Sequence, residues 1–179
     1  MSGFDDTPEH GWRIHRLLEN RAREAPDFPF LHFKGRDYSH IELNRRANCM
    51  AAGLTALGLE PGARVAVMMK STPEYIDVWF AITKAGAVEV PLNTAYKGGL
   101  LAHVVELSDA KLGIVHADLA PRLAEVDTAA LETLVIVGGE AEGLPLPLGP
   151  EDIQERDRLV TGLLLRTPTR EGRSGSAIL

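Results

Sequence analysis

The sequence predicts an α/β chain, a mainly parallel sheet with flanking helices. Two observations carry that expectation. Short apolar runs recur at residues 65–69, 87–92, 111–115 and 133–137, and strands covered on both faces of a parallel sheet have this form. Segments with helical spacing separate the runs, and strands alternating with helices imply right-handed crossovers between parallel neighbours.

The stretch 65–92 states the pattern most clearly, as strand, helix, strand. A helix is expected over residues 73–85. Thr72 suits its N-cap, Pro73 its first position, and Glu74 the positive end of its dipole. Gly86 is free to take the left-handed stop. Ile76, Trp79, Phe80 and Thr83 share one face, and Tyr75, Val78, Ile82 and Ala85 the next. Glu74, Asp77 and Lys84, with Ala81, form a polar strip. Such a helix is expected to pack on the sheet and on something else besides. On this reading Trp79→Ala costs about 3 kcal/mol or more.

The remaining elements follow in order. Residues 1–10 read as a loose leader. A helix is expected over 11–25, with Ile14, Leu17, Leu18 and Ala22 inward and Pro26 as its stop. Residues 30–33 and 36–38 suit a small hairpin around a turn at 34–37. Ser39 and Glu42 have the spacing of a capping box. The helix they open runs to Leu57, with Leu43, Ala47, Met50, Ala51, Leu54 and Leu57 on one face. Glu42 and Arg46 are placed to pair across one turn on its wet side. Gly58 ends it, and residues 60–63 form a turn. After Leu92 come a loop over 93–98 and a helix over 99–107, with Leu100, Leu101, Val104 and Val105 inward. Asp118 is expected to cap a short helix reaching Val126. Residues 138–143 and 145–150 read as linker or surface loop. A further helix is expected from Pro150 to about Leu165, then a polar, flexible tail over 166–179. Its last residues, Ala177 to Leu179, look like half of a buried strand and suggest a truncated frame.

Composition bounds the function. The 179 residues are 45% hydrophobic and 25% charged, which fits a packed core. A formal charge of −6 gives no reason to expect a nucleic-acid or anionic-membrane partner. No run of 18 apolar residues is present, so no membrane span is expected. The acidic start, Met1 to Asp6, lacks a basic-then-apolar signal. The single cysteine, Cys49, excludes an internal disulfide and fits a reducing, cytoplasmic location. Cys49 reads as a small packing residue.

Two sets of residues lie where ligands of open sheets collect. Ser71 and Thr72 stand between a strand end and a helix start, where anions bind; plain N-capping is the simpler role. Asn93, Thr94 and Tyr96 come after another strand and suit an acyl or coenzyme A crevice, or an ordinary loop. The histidines, His10, His15, His32, His40, His103 and His116, show no metal-ligand spacing with a third partner, and His103 is expected on the outward side of its helix. Arg170 and Arg173 fall in the polar tail, where a solvated loop explains them. No catalytic residue and no metal ligand is assigned, and cofactor-binding residues stay open.

Residues 38–48, 51–54, 57–62 and 64–67, then Thr72 to Tyr75, Phe80 to Ala87 and Val90 to Asn93, together resemble the N-terminal region of the AMP-forming acyl-CoA synthetases. That family includes luciferases and peptide-synthetase adenylation domains. The segment 93–98 is similar to the carnitine- or fatty-acid–CoA ligase branch. The resemblance covers about residues 11–137, and a partial AMP-binding domain over 11–165 is expected. It implies an enzyme that joins a small carboxylic acid to ATP, releases pyrophosphate and passes the acyl group to coenzyme A. ATP, Mg2+ and coenzyme A are thus implied for the full-length family member. The family's Ser/Thr/Gly-rich phosphate loop comes after a strand like that begun by Ala177 to Leu179. The run Arg173 to Ser176 lacks its threonines and its lysine. The chain alone is therefore expected to be inactive and to bind no cofactor. Where the missing part would pack, exposed apolar surface and self-association are expected. The alternatives are a non-catalytic remnant or binding module, and an adenylating domain that loads a carrier protein.

Overall fold

A computed structural model describes residues 13–126, 130–138 and 163–166. The expectations for the leader, the linker, the start of the helix at Pro150, the tail, His10, Arg170 and Arg173 lie outside the described residues.

The chain begins with α1 (Ile14–Glu24), then a hairpin of β1 (Pro29–Phe33) and β2 (Arg36–Ser39), then α2 (His40–Ala56). The hairpin turns on Lys34 and Gly35, both at positive φ, the conformation that two-residue hairpin loops need. Ser39 caps α2, its hydroxyl accepting from the Glu42 amide at 3.3 Å. The reciprocal half of the box is not formed, because the Glu42 carboxylate is drawn to Arg36 and Arg46. Gly58 lies just past α2 at φ +88°.

The sheet comprises β3 (Arg64–Met68), β4 (Val88–Pro91), β5 (Leu112–His116), β6 (Thr133–Val137) and β7 (Leu163–Arg166), in the order β4-β3-β5-β6-β7. The first three pairings are parallel, with Val65 opposite Glu89 and Leu112, and Ile114 opposite Val135. β7 runs antiparallel to β6, which corrects the expectation of helix up to Leu165. A run of three leucines carries no period of its own, so it adopts whatever pairing a neighbouring surface offers, here the edge of β6.

Among the described residues three helices connect the strands: α3 (Pro73–Lys84), α4 (Gly98–Ser108) and α5 (Ala120–Ala124). From β3 the chain steps outward to β4, then returns across β3 to β5 and on to β6. Crossovers of one hand must place helices on opposite faces when the direction reverses. They do. Met50 and Leu54 of α2 and Val78, Ala81 and Ile82 of α3 meet Val65, Val67, Ile114 and Val135 on one face. Leu101 and Val105 of α4, with Leu119 and Leu123, meet Ala66, Met68, Val115 and Ile136 on the other. Residues 65–68 are buried on both faces, as expected of a central strand. β4 is an edge strand instead, and Val88 is half exposed. Beside it, Tyr75 donates its phenol to Glu89 at 2.8 Å. Burial and this carboxylate push the phenol up to about 12.

Several inward assignments shift by one step around a helix. Leu100 is 54% exposed, because the buried stripe of α4 is Leu101, Val105 and Ser108 and Leu100 lies about 100° aside. Leu17 is 39% exposed for the same reason, while Leu18 and Ala22 are buried. Phe80 is buried against Leu18, Tyr38, Leu43 and Ala47, but Trp79 only borders that cluster. The polar strip of α3 is where the helix packs on something besides the sheet. Asp77 is 2% exposed and Ala81 fully buried. Its charged residues Asp77 and Lys84 face α2 and α1, where Arg46 meets Asp77 at 2.5 Å and Lys84 meets Glu19 at 2.7 Å and Asn44 at 2.9 Å.

Candidate functional site

The order β4-β3-β5-β6 makes the boundary of β3 and β5 a topological switch point, since the connections leaving these two strands pass to opposite faces. Ligands of open α/β sheets bind outside the carboxyl ends of strands at such a point. Four strand ends contribute residues to this edge of the molecule.

After β3 come Lys70, Ser71 and Thr72. Ser71 is exposed. Thr72 is the N-cap of α3 by backbone geometry, but its side chain makes no capping hydrogen bond. Its hydroxyl oxygen is buried without a partner, which corrects the expected capping role. After β4 come Asn93, Thr94 and Tyr96. The Asn93 side-chain oxygen accepts from the Ala95 amide at 2.8 Å, and its carbonyl accepts from the Tyr96 amide at 3.0 Å. This is an Asx turn, which fixes the loop locally. Tyr96 packs on the cluster under α4. β3 and β4 are neighbours, with Val67 opposite Pro91, so the two sequence-derived sets stand on adjoining strand ends.

Sequence reasoning missed the groups beyond β5 and β6. Asp118 does not cap a helix with its side chain. Its carboxylate pairs with Lys70 across the switch point, and the ammonium holds that carboxyl below its ordinary range. Its amide instead donates to His116 Nδ1 at 3.2 Å. The His116 ring lies over Gly138, where an added Cβ would come within 3.0 Å of Nε2. Gly138 stands just past β6 at φ +91°. Arg122 of α5 donates to the carbonyl of Thr94 and so ties the loop after β4 to the helix after β5. One signal was available in the sequence: Lys70, Asp118 and Gly138 each stand shortly beyond the end of an apolar run.

The other histidines are placed apart. His40 is buried, with Nδ1 2.8 Å from the Phe28 carbonyl. His32 meets Asp37 on the hairpin at 2.6 Å. His15 is pulled down by burial, and His103 is exposed on α4. Among the described residues no three His, Cys, Asp or Glu side chains are grouped to hold a metal ion. No helix among them is long and apolar enough to cross a membrane. Cys49 lies half-buried in α2.

The described edge fits a magnesium nucleotide poorly. The carboxylate of Asp118 is already taken by Lys70. Among the described residues no group of three acidic or histidine side chains stands ready for a cation, which wants several oxygen ligands. The turn after β3 carries no glycine that would let successive amides curl around phosphates.

Comparison with known proteins places the chain. The model of the AMP-binding enzyme family matches residues 18–162. Phosphinothricin tripeptide synthetase of Streptomyces viridochromogenes is 35% identical over 147 residues, which are 82% of this chain and 13% of that protein. A medium/long-chain-fatty-acid–CoA ligase of Mycobacterium tuberculosis is 34% identical over 125 residues, 70% of this chain and 21% of the ligase. Among solved structures, a fatty acyl CoA synthetase of Mycobacterium tuberculosis superposes with a TM-score of 0.59 at 30% identity, over 63% of this chain and 23% of that one. The chain thus spans about a fifth or less of the length of the curated relatives named. With the family model matching residues 18–162, the chain belongs to the AMP-binding enzyme family, related both to acyl-CoA synthetases and to peptide-synthetase adenylation domains.

Proposed function

We propose that the chain is the N-terminal part of an ATP-dependent, AMP-forming acid–CoA ligase. The complete reaction joins a carboxylate oxygen to the α-phosphorus of ATP and releases pyrophosphate, and then the thiol of coenzyme A takes the acyl group as AMP leaves. One observation carries the reading: the family model matches residues 18–162, with a fatty-acid–CoA ligase among the relatives. The resemblance of residues 93–98 to the carnitine and fatty acid branch supports the same choice. Within that enzyme these residues supply one sheet and the edge around Lys70 and Asp118. They carry no step of the chemistry by themselves.

A second reading has its own support. The similarity to a tripeptide synthetase covers more of the chain than the similarity to the ligase. An adenylating domain that loads a carrier protein would give the same adenylation step with a different acceptor.

Two measurements test the proposal. The purified 179-residue chain is expected to release no pyrophosphate with ATP and a panel of fatty, hydroxy and amino acids. Acyl-adenylate formation by it would refute the view that its residues lack the chemistry. The gene is then read past the codon for Leu179. An open frame running into a Thr-Ser-Gly-rich loop supports the ligase, and a stop supports a non-catalytic remnant. For a full-length enzyme, acyl transfer to coenzyme A rather than to a phosphopantetheinyl carrier separates the two active readings.

A further inference from the structure

We propose that the junction of β2, α2 and α3 is a proton-linked clamp, in which Asp77 takes up one proton under mildly acidic conditions and α3 is then held more firmly than before. The inference is independent of the enzymatic reading.

The geometry gives the reason. Two guanidinium groups and three carboxylates meet at this junction. Arg46 lies 2.5 Å from Asp77 and 3.8 Å from both Glu74 and Glu42. Arg36 lies 2.5 Å from Glu42. Both guanidinium groups sit near the ring of Tyr38, at 4.4 Å for Arg36 and 5.6 Å for Arg46. The cluster therefore carries one negative charge more than its cations neutralise. A proton taken up here goes to the carboxylate that water serves least. The side chains of Glu42 and Glu74 are 32% and 41% exposed, whereas that of Asp77 is 3% exposed.

Asp77 is also the one with an unanswered oxygen. Its Oδ2 meets Arg46, but Oδ1 is buried with no hydrogen-bond partner. An ionised oxygen in that position loses its hydration without replacement. Arg46 compensates incompletely, since it is shared among three acids and is itself partly in water. The charges at the other end of α3 do not help. Lys84 is occupied by Glu19 of α1 and Asn44 of α2, and His15 of α1 stands beside Glu19.

Burial accordingly outweighs the Arg46 charge and raises the Asp77 carboxyl from 3.8 to about 6. This fixes the sign of the linkage. The folded chain binds a proton that the unfolded chain releases in the window from about 6 to 3.8, so stability rises as pH falls through it. An ordinary ion-paired aspartate does the reverse.

The test compares the 179-residue chain with Asp77→Asn by urea unfolding at pH 8 and pH 5. Titrating groups that do not interact with Asp77 are common to both and cancel. Glu42 and Glu74 share Arg46 with it, and the window from pH 8 to pH 5 lies mostly above the range in which a glutamate ordinarily titrates. The folding equilibrium of the native chain is expected to improve, relative to the variant, by roughly tenfold between pH 8 and pH 5. Carboxyl NMR of the native chain, with aspartate selectively labelled, reads the same proton directly, with a midpoint near 6 expected. A midpoint below about 4, the ordinary aspartate range, overturns the proposal, as does a relative stability that is flat or falls toward pH 5. If Asp77→Asn does not fold, the NMR midpoint decides alone.

Discussion

Toward the sheet, α3 presents Val78, Ala81 and Ile82, all fully buried against β3 and α2. Toward α1 and the far side of α2 it presents Asp77 and Lys84, nearly as well buried but held by charge. The two sides exclude water about equally and differ in what exclusion is worth. Apolar burial gains roughly 25 cal/mol for each Å² removed from water. A buried ion pair must first recover the hydration of both ions, and often no more than breaks even. The first side holds α3 in place; the second fixes which helices it lies against, and makes that contact sensitive to protons.

The sheet side should therefore give the largest effect. Ile82→Ala is expected to destabilise the chain by about 4 kcal/mol, a transfer loss plus an unfilled cavity. Trp79→Ala should cost less than this despite the larger side chain, because Trp79 only borders its cluster. Chemical unfolding of the two variants checks the order. A larger loss for Trp79→Ala would mean that the outer aromatic cluster, and not the sheet, anchors the helix.

The charged side gives the next effect and sharpens the contrast. Arg46→Met leaves Asp77 buried with no cation, which should cost about 3 kcal/mol near pH 8. The loss should shrink toward pH 5, where Asp77 carries its proton. Unfolding at both pH values measures it. A loss that is the same at both would mean that packing of the arginine stem, and not its charge, is what counts.

The same comparison explains what the sequence disclosed. Residues 65–69 and 133–137 were legible as strands because apolar residues fill them almost throughout, and both lie inside the sheet. Gly86 and Gly58 were legible as stops, and both have positive φ. The polar strip of α3 was legible as a strip but not as buried. Asp77 and Lys84 look solvent-facing until Arg46 and Glu19, both distant along the chain, are brought to them. The candidate site divided likewise. Asn93, Thr94 and Thr72 could be placed at strand ends from the pattern alone. The bridge from Lys70 to Asp118 could not, because it depends on β5 lying beside β3 rather than beyond β4, and strand order is not written in any local run.

That bridge supplies the weakest contact of the series, and so the lower bound of the comparison. Lys70 and Asp118 pair across the switch point, but their side chains are 46% and 62% exposed. Each therefore keeps most of its hydration when the partner is removed, and solvent and salt screen the attraction. Lys70→Ala should shift the melting temperature no more than a substitution at an unpaired surface lysine, with little dependence on added salt. Thermal unfolding at low and high ionic strength checks this. A shift approaching that of Arg46→Met would show that the carboxyl edge is held by charge as the far side of α3 is. A null result leaves Lys70 and Asp118 as groups that can part without cost to the fold, which is the property a binding edge needs.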